Sequence, residues 1–259
     1  MEASRRNNSL LCVGLDPDPG KIPDGVSMRD FLMGIVEATS DVASCYKPNI
    51  AFFEPYLGEG IDLLRDLIAA VPDDVPVLLD AKRGDVGHTA EAYARAVFDS
   101  LGADAVTLSP YLGRDSLDPF LRRADRHSFL LCRTSNPGAV DLQDVSVEGH
   151  PLYEHVAYLA NEWNELGNVG LVVGATYPSE ASRIREICPD LLFLMPGVGA
   201  QQGEVEAAVR AAVDGDGGGI LVNASRGVLY PASEPGKWQD ASRNAAIEIR
   251  DQINAARAG

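Results

Sequence analysis

Leu78-Leu79-Asp80-Ala81-Lys82-Arg83-Gly84-Asp85-Val86-Gly87-His88-Thr89 lies in the first half of the chain, and how it is read decides the fold. It closes an apolar run, 75–79, of strand length. Asp80, Lys82 and Asp85 crowd just past the end of that run, with Gly84 and Gly87 loosening the backbone between them. In an extended chain residues two apart point the same way, so Asp80 and Lys82 share a face, while Asp85 lies beyond the strand and can reach elsewhere. A solvated surface ion pair is the plain alternative for any Asp/Lys pair. Charges of both signs gathered at one strand end are also how a binding or catalytic site is built.

On either side of this stretch one alternation repeats. Apolar runs predict further strands at 10–15, 45–49, 105–108, 128–132, 169–174, 191–195 and 219–223, each bounded by turn residues such as Asp16-Pro17-Asp18-Pro19-Gly20. Helical periods predict helices at about 27–43, with Ser27 as a cap, and at 60–71, 89–100 and 115–124. Others follow up to about 166, at 178–187, 202–213 and 237–256. Eight strands alternating with eight helices imply parallel strands joined by right-handed crossovers, which close as a (β/α)8 TIM barrel. The reading is therefore a single α/β barrel domain over 1–259, with an open doubly wound sheet as the alternative. Active sites of such barrels sit at the C-terminal strand ends. Asp16, Lys47, Asp80, Lys82, Ser135, Pro196 and Arg226 all fall there. The connection from Arg133 to about Glu148 is too long for a mere connector and predicts a lid or binding loop.

Composition narrows the partners. The net charge of −16 disfavours nucleic acid and anionic membranes, which would be repelled. Only Lys21, Lys47, Lys82 and Lys237 are lysines, against 38 acidic residues, a balance that fits a high-salt habitat. No apolar stretch is long enough to span a bilayer, and 1–8 is short and polar, so a cytoplasmic location is expected. Cys12, Cys45, Cys132 and Cys188 lack CxxC spacing and read as buried free thiols. The histidines lack HxH or HExxH spacing, so no metal site is expected.

After the seventh and eighth strands come Pro196-Gly197-Val198-Gly199-Ala200-Gln201-Gln202-Gly203 and Asn223-Ala224-Ser225-Arg226-Gly227. Glycine lets backbone N–H groups approach an anion, and an arginine can fork onto two phosphate oxygens. In a barrel this pair of loops is the usual phosphate pocket.

Asp80-Ala81-Lys82-Arg83-Gly84-Asp85 resembles the D-x-K-x-x-D signature of the orotidine 5′-phosphate decarboxylases, in its longer D-A-K-R-G-D form. The likeness extends to Gly14-Leu15-Asp16-Pro17, Lys47-Pro48-Asn49, Thr134-Ser135-Asn136-Pro137-Gly138, Pro196-Gly197-Val198-Gly199-Ala200-Gln201 and Asn223-Ala224-Ser225-Arg226. These segments run in the family's order over roughly 10–230. The resemblance implies a carboxy-lyase without any cofactor that turns orotidine 5′-monophosphate into UMP, the last step of UMP synthesis. It implies that Lys82 protonates C6 of the pyrimidine, that Asp80 sits against the departing carboxylate, and that Lys47 and Asp85 complete an alternating charge array. Asp85 and Thr89 would reach the neighbouring subunit's site in a homodimer. Ser135 would contact the pyrimidine, Asp16 and Lys47 the ribose, and Gln201 and Arg226 the phosphate, with Pro196 a further substrate-binding residue. Closure of 135–148 and 198–204 over the ligand is expected. Related enzymes that share D-x-K-x-x-D but bind magnesium resemble a pattern with an acidic residue on the second strand. Lys47 stands there in this chain, and a cation at that place repels a metal ion.

Overall fold

The computed structural model describes residues 2–197 and 202–258. Eight parallel strands make one sheet: β1 Leu11–Gly14, β2 Cys45–Lys47, β3 Leu78–Arg83, β4 Ala105–Leu108, β5 His127–Arg133, β6 Val169–Val173, β7 Leu192–Met195 and β8 Ile220–Ala224. Each pairs with its neighbours in sequence, and β8 returns to pair with β1. The ring closes between β2 and β3 through two isolated bridges, Tyr46 with Val77 and Asn49 with Asp80. The expected barrel is therefore the observed one.

The outer layer comprises α1 Met28–Thr39, α2 Leu57–Ala70, α3 Gly87–Arg95, α4 Asp118–Leu121, α5 Leu152–Trp163, α6 Pro178–Ile187, α7 Gln202–Ala212 and α8 Trp238–Ala258. Ser27 caps α1, its hydroxyl accepting the Asp30 N–H at 3.0 Å. Strand alternation divides the core in two. Cys12, Cys45, Leu78, Ala105, Phe129, Val172, Leu194 and Leu221, one from each strand, pack inside the barrel. Their neighbours, among them Leu11, Val13, Leu79, Val106, Leu130, Leu171, Phe193 and Val222, pack outward under the helices. Both faces are apolar, which is why the strands read as unbroken hydrophobic runs. All four cysteines are free and buried. Among the described residues no helix is long and apolar enough to cross a membrane.

Two expectations are corrected. The central strand does not stop at residue 79: β3 runs to Arg83, so Asp80 and Lys82 belong to the strand and find partners on the strands beside it. The helix expected at 115–124 shrinks to Asp118–Leu121, preceded by 3-10 turns at Pro110–Leu112 and Arg114–Ser116. Pro119 explains the late start: with no N–H it cannot donate to the carbonyl four residues back, so a helix begun at 115 would lose that bond, whereas in a first turn nothing is lost. The connection read as a lid or binding loop carries structure of its own: a 3-10 turn, Pro137–Asp141, leads into an antiparallel pair, Ser146–Val147 with His150–Pro151.

Candidate active site

Lys47, the last residue of β2, is 3% exposed. Its Nζ donates to Asp80 Oδ2 at 3.3 Å, and Asn49 Nδ2 donates to the same oxygen at 3.2 Å. Lys82 Nζ donates to Asp80 Oδ1 at 2.6 Å, and Thr107 Oγ1 donates there at 2.8 Å. One carboxylate thus gathers donors from β2, β3 and β4, each delivered by the C-terminal end of its strand. Only about half of the Lys82 side chain is shielded, whereas that of Asp80 is 12% exposed. The ammonium of Lys82 is therefore the one presented to solvent.

Burial opposes the charge on Lys47, but Asp16 and then Asp80 outweigh it and hold its pKa above the ordinary lysine value. Burial likewise opposes ionisation of Asp80, and here Lys47 followed by Lys82 reverses the balance, leaving its pKa below the ordinary carboxylate value. Asp80 is ionised and Lys47 protonated throughout the neutral range. Lys47, Asp80 and Lys82 are linked side by side through the one carboxylate.

This array borders a 410 Å³ cavity whose apolar wall is Leu131, Val172 and Leu194 and whose far side carries Ser135, Gln143 and Pro196. Ser135 follows β5 and packs over the end of β6, where a Cβ on Gly174 would come within 2.9 Å of the Ser135 nitrogen. Gln143 folds the long connection back onto the site: its Oε1 accepts the Thr134 N–H at 2.8 Å and its Nε2 donates to Thr134 Oγ1 at 2.8 Å. On the other flank Ser225 Oγ donates to Asp16 Oδ2 at 2.7 Å. Gly14 makes this possible, because any Cβ there would collide with the Ser225 hydroxyl. Asp16 Oδ1 is buried and has no partner among the described residues, which leaves one acceptor for a ligand hydroxyl.

Arg226, after β8, lines a neighbouring 550 Å³ cavity with Gly197, Asn223 and Ser225. Its guanidinium makes no ion pair among the described residues, so it is available to an anion. The structure thus brings together Lys47, Asp80, Lys82, Ser135 and Pro196, with Asp16 and Arg226 flanking them. It sets Asp85 and Thr89 apart: Asp85 Oδ1 accepts the Val86 N–H at 2.8 Å, Thr89 sits in the first turn of α3, and neither lines the cavity. Gln201 lies outside the described residues, as does much of 198–204. Reading the sequence missed Thr107, Asn49, Ser225 and Gln143 as partners of the site. The one available signal for Thr107 was a lone hydroxyl in the apolar run 105–108. Among the described residues no group of three or more His, Cys, Asp or Glu side chains is arranged to hold a metal ion.

A family model described as Orotidine 5′-phosphate decarboxylase / HUMPS family matches residues 9–239. An orotidine 5′-phosphate decarboxylase of Roseiflexus castenholzii is 55% identical over 261 residues, covering 98% of this chain and 95% of the relative. One from Dechloromonas aromatica is 51% identical, covering 97% of this chain and 96% of the relative. The solved structure of a Leishmania donovani OMP decarboxylase superposes with a TM-score of 0.88 at 43% identity, covering 100% of each chain.

Proposed function

Because the chain belongs to the orotidine 5′-phosphate decarboxylase / HUMPS family, we propose that it decarboxylates orotidine 5′-monophosphate to UMP and CO2, with Lys82 as the acid that protonates C6. The observation that carries this reading is the Lys47–Asp80–Lys82 array against an apolar cavity wall. When the bond between C6 and the carboxylate breaks, CO2 leaves neutral and the electron pair stays on C6. A fixed ammonium beside that carbon lowers the energy of the developing charge and then supplies the proton. Asp80 holds the Lys82 ammonium in place, and its own position is beside the departing carboxylate. Leu131, Val172 and Leu194 exclude water, which strengthens each Coulombic interaction in the cavity.

In this reading Ser135 contacts the pyrimidine, Pro196 lines the same cavity and binds substrate, and Asp16 and Lys47 hold the ribose. Gln201 and Arg226 take the phosphate, whose remote binding energy drives closure of the loops and is expressed at the reacting carbon. Arg226→Ala is accordingly expected to raise KM by about 10- to 100-fold and to change kcat far less, the loss of one charge-assisted phosphate contact. Steady-state kinetics on the purified variant check this, and an unchanged KM would remove Arg226 from the phosphate site.

The functional unit is a homodimer in which Asp85 and Thr89 complete the partner's site. Supporting this, Phe52, Tyr56, Leu57, Val86, Tyr111 and Leu112 expose apolar side chains on the connections that follow β2, β3 and β4, the same end of the barrel from which Asp85 and Thr89 emerge. The enzyme acts in the cytoplasm, on a small molecule, with neither nucleic acid nor membrane as partner.

The test of the reaction is the ultraviolet assay of orotidine 5′-monophosphate loss with EDTA and no added metal. Full activity is expected, since Lys47 occupies the place where related magnesium enzymes resemble a pattern with an acidic ligand. A strict Mg²⁺ requirement would overturn the reading in favour of a metal-dependent sugar-phosphate enzyme. The same assay in high KCl tests the high-salt interpretation of the acidic surface, which unfolding and loss of activity would sink.

A further inference from the structure

β3 and β4 do not pair one to one. Leu78 is opposite Ala105 and Leu79 opposite Val106, but the next pair is Arg83 with Leu108. Asp80, Ala81 and Lys82 therefore face a single residue, Thr107. Extra residues in one strand leave ladder groups without partners, and here the Ala81 and Lys82 N–H groups are the ones displaced. Both turn to the Thr107 hydroxyl, donating to Oγ1 at 3.0 and 2.9 Å. The same hydroxyl donates its proton to Asp80 Oδ1 at 2.8 Å. A hydroxyl has one proton and two lone pairs, so all of its bonding capacity is used. Thr107 is 1% exposed, which keeps water from substituting for it. Lys82 meanwhile has φ +47, a left-handed conformation that a lysine adopts only when its surroundings hold it there.

We infer that Thr107 is a positioning residue: its hydroxyl fixes the bulge that turns the Lys82 backbone left-handed and pins the Asp80 carboxylate, setting where the Lys82 ammonium meets C6. The assignment rests on the decarboxylase reading and deepens it. Thr107 acts through its neighbours and does not itself need to touch the reacting atoms.

The experiment compares Thr107→Val, which keeps the shape and removes the hydroxyl, with Thr107→Ser, which keeps the hydroxyl. Thr107→Ala is measured beside them as a smaller side chain that also lacks the hydroxyl. For each, kcat, KM and the dissociation constants of UMP and of 6-hydroxy-UMP, an anionic mimic of the C6 carbanion, are determined. Thr107→Val and Thr107→Ala are expected to lower kcat by about 10²-fold, the usual cost of misplacing a catalytic group by about 1 Å. Affinity for 6-hydroxy-UMP should fall by a similar factor while that for UMP, which has no charge at C6, stays put. Thr107→Ser should retain kcat within about threefold, since each bond can still form. Retained UMP binding shows that a variant is folded. A normal kcat in Thr107→Ala or Thr107→Val overturns the inference, as does a serine variant impaired like the valine variant. So does an equal loss of UMP and 6-hydroxy-UMP affinity. Failure of the decarboxylase reading itself looks different: the unsubstituted enzyme would then not consume orotidine 5′-monophosphate, and the inference would fall with it.

Discussion

Lys82→Ala is expected to lower kcat for orotidine 5′-monophosphate by at least about 10⁴-fold, because one side chain supplies both the charge that stabilises the C6 electron pair and the proton that ends it. General acid catalysis alone is worth about 10²- to 10⁴-fold and electrostatic stabilisation by a preorganised donor about 10²- to 10³-fold, so the two together exceed either. The variant should still fold. Asp80 keeps Lys47, Asn49 and Thr107 as donors, so removing Lys82 does not strand a buried carboxylate. UMP affinity should survive as well, since the ribose and phosphate contacts proposed for Asp16 and Arg226 lie elsewhere. The measurements are single-turnover decay of orotidine 5′-monophosphate absorbance and titration with UMP. A Lys82→Ala enzyme with a near-normal rate refutes the assignment of the acid, whatever the fold.

Much of this was legible in the sequence, for physical reasons that also mark where legibility ends. A parallel barrel buries both faces of each strand, so its strands stand out as apolar runs, and their spacing by helical segments predicts the closed ring. Conspicuous charges at strand ends, Lys47, Asp80 and Lys82, point to the barrel mouth because active sites of such barrels sit at the C-terminal strand ends. Pairing register is another matter. Asp80 and Lys82 were expected to meet through simple alternation, yet they meet across a bulge with Lys82 at φ +47, a conformation that no propensity of Lys foretells. Thr107 looks like an ordinary β-branched strand residue until the register places three residues opposite it. The apolar run at 75–79 marks only the start of β3, which continues through the charges to Arg83. Here their partners come from β2 and β4, and contacts between distant segments leave no local trace. Ser225 stands in a segment the sequence singles out, but its bond to Asp16 spans 209 residues and leaves no local trace, and Gln143 reaches Thr134 only because the long connection folds back.

Asp85 makes the second large prediction, since its role depends on another chain. In one subunit it lies outside the cavity that holds Lys82, and the next residue, Val86, exposes an apolar side chain. If it completes the partner's array, Asp85→Ala alone should lower kcat/KM by about 10²- to 10³-fold, in the range for removing one preorganised electrostatic group. The decisive experiment mixes it with Lys82→Ala. Each homodimer is defective at both of its sites. A hybrid dimer has one site with both substitutions and one site with neither, because Lys82 comes from one subunit and Asp85 from the other. Random exchange makes about half the dimers hybrids, so about a quarter of all sites should be intact, and activity should rise from near zero to about a quarter of normal. A concentration-dependent gain after co-refolding, absent when the homodimers are mixed without exchange, is the expected signature. If Asp85 served the site of its own chain, every hybrid site would carry one substitution or the other and no activity could return. The outcome therefore separates a shared active site from one that is complete within a single chain, independently of how fast either variant turns over.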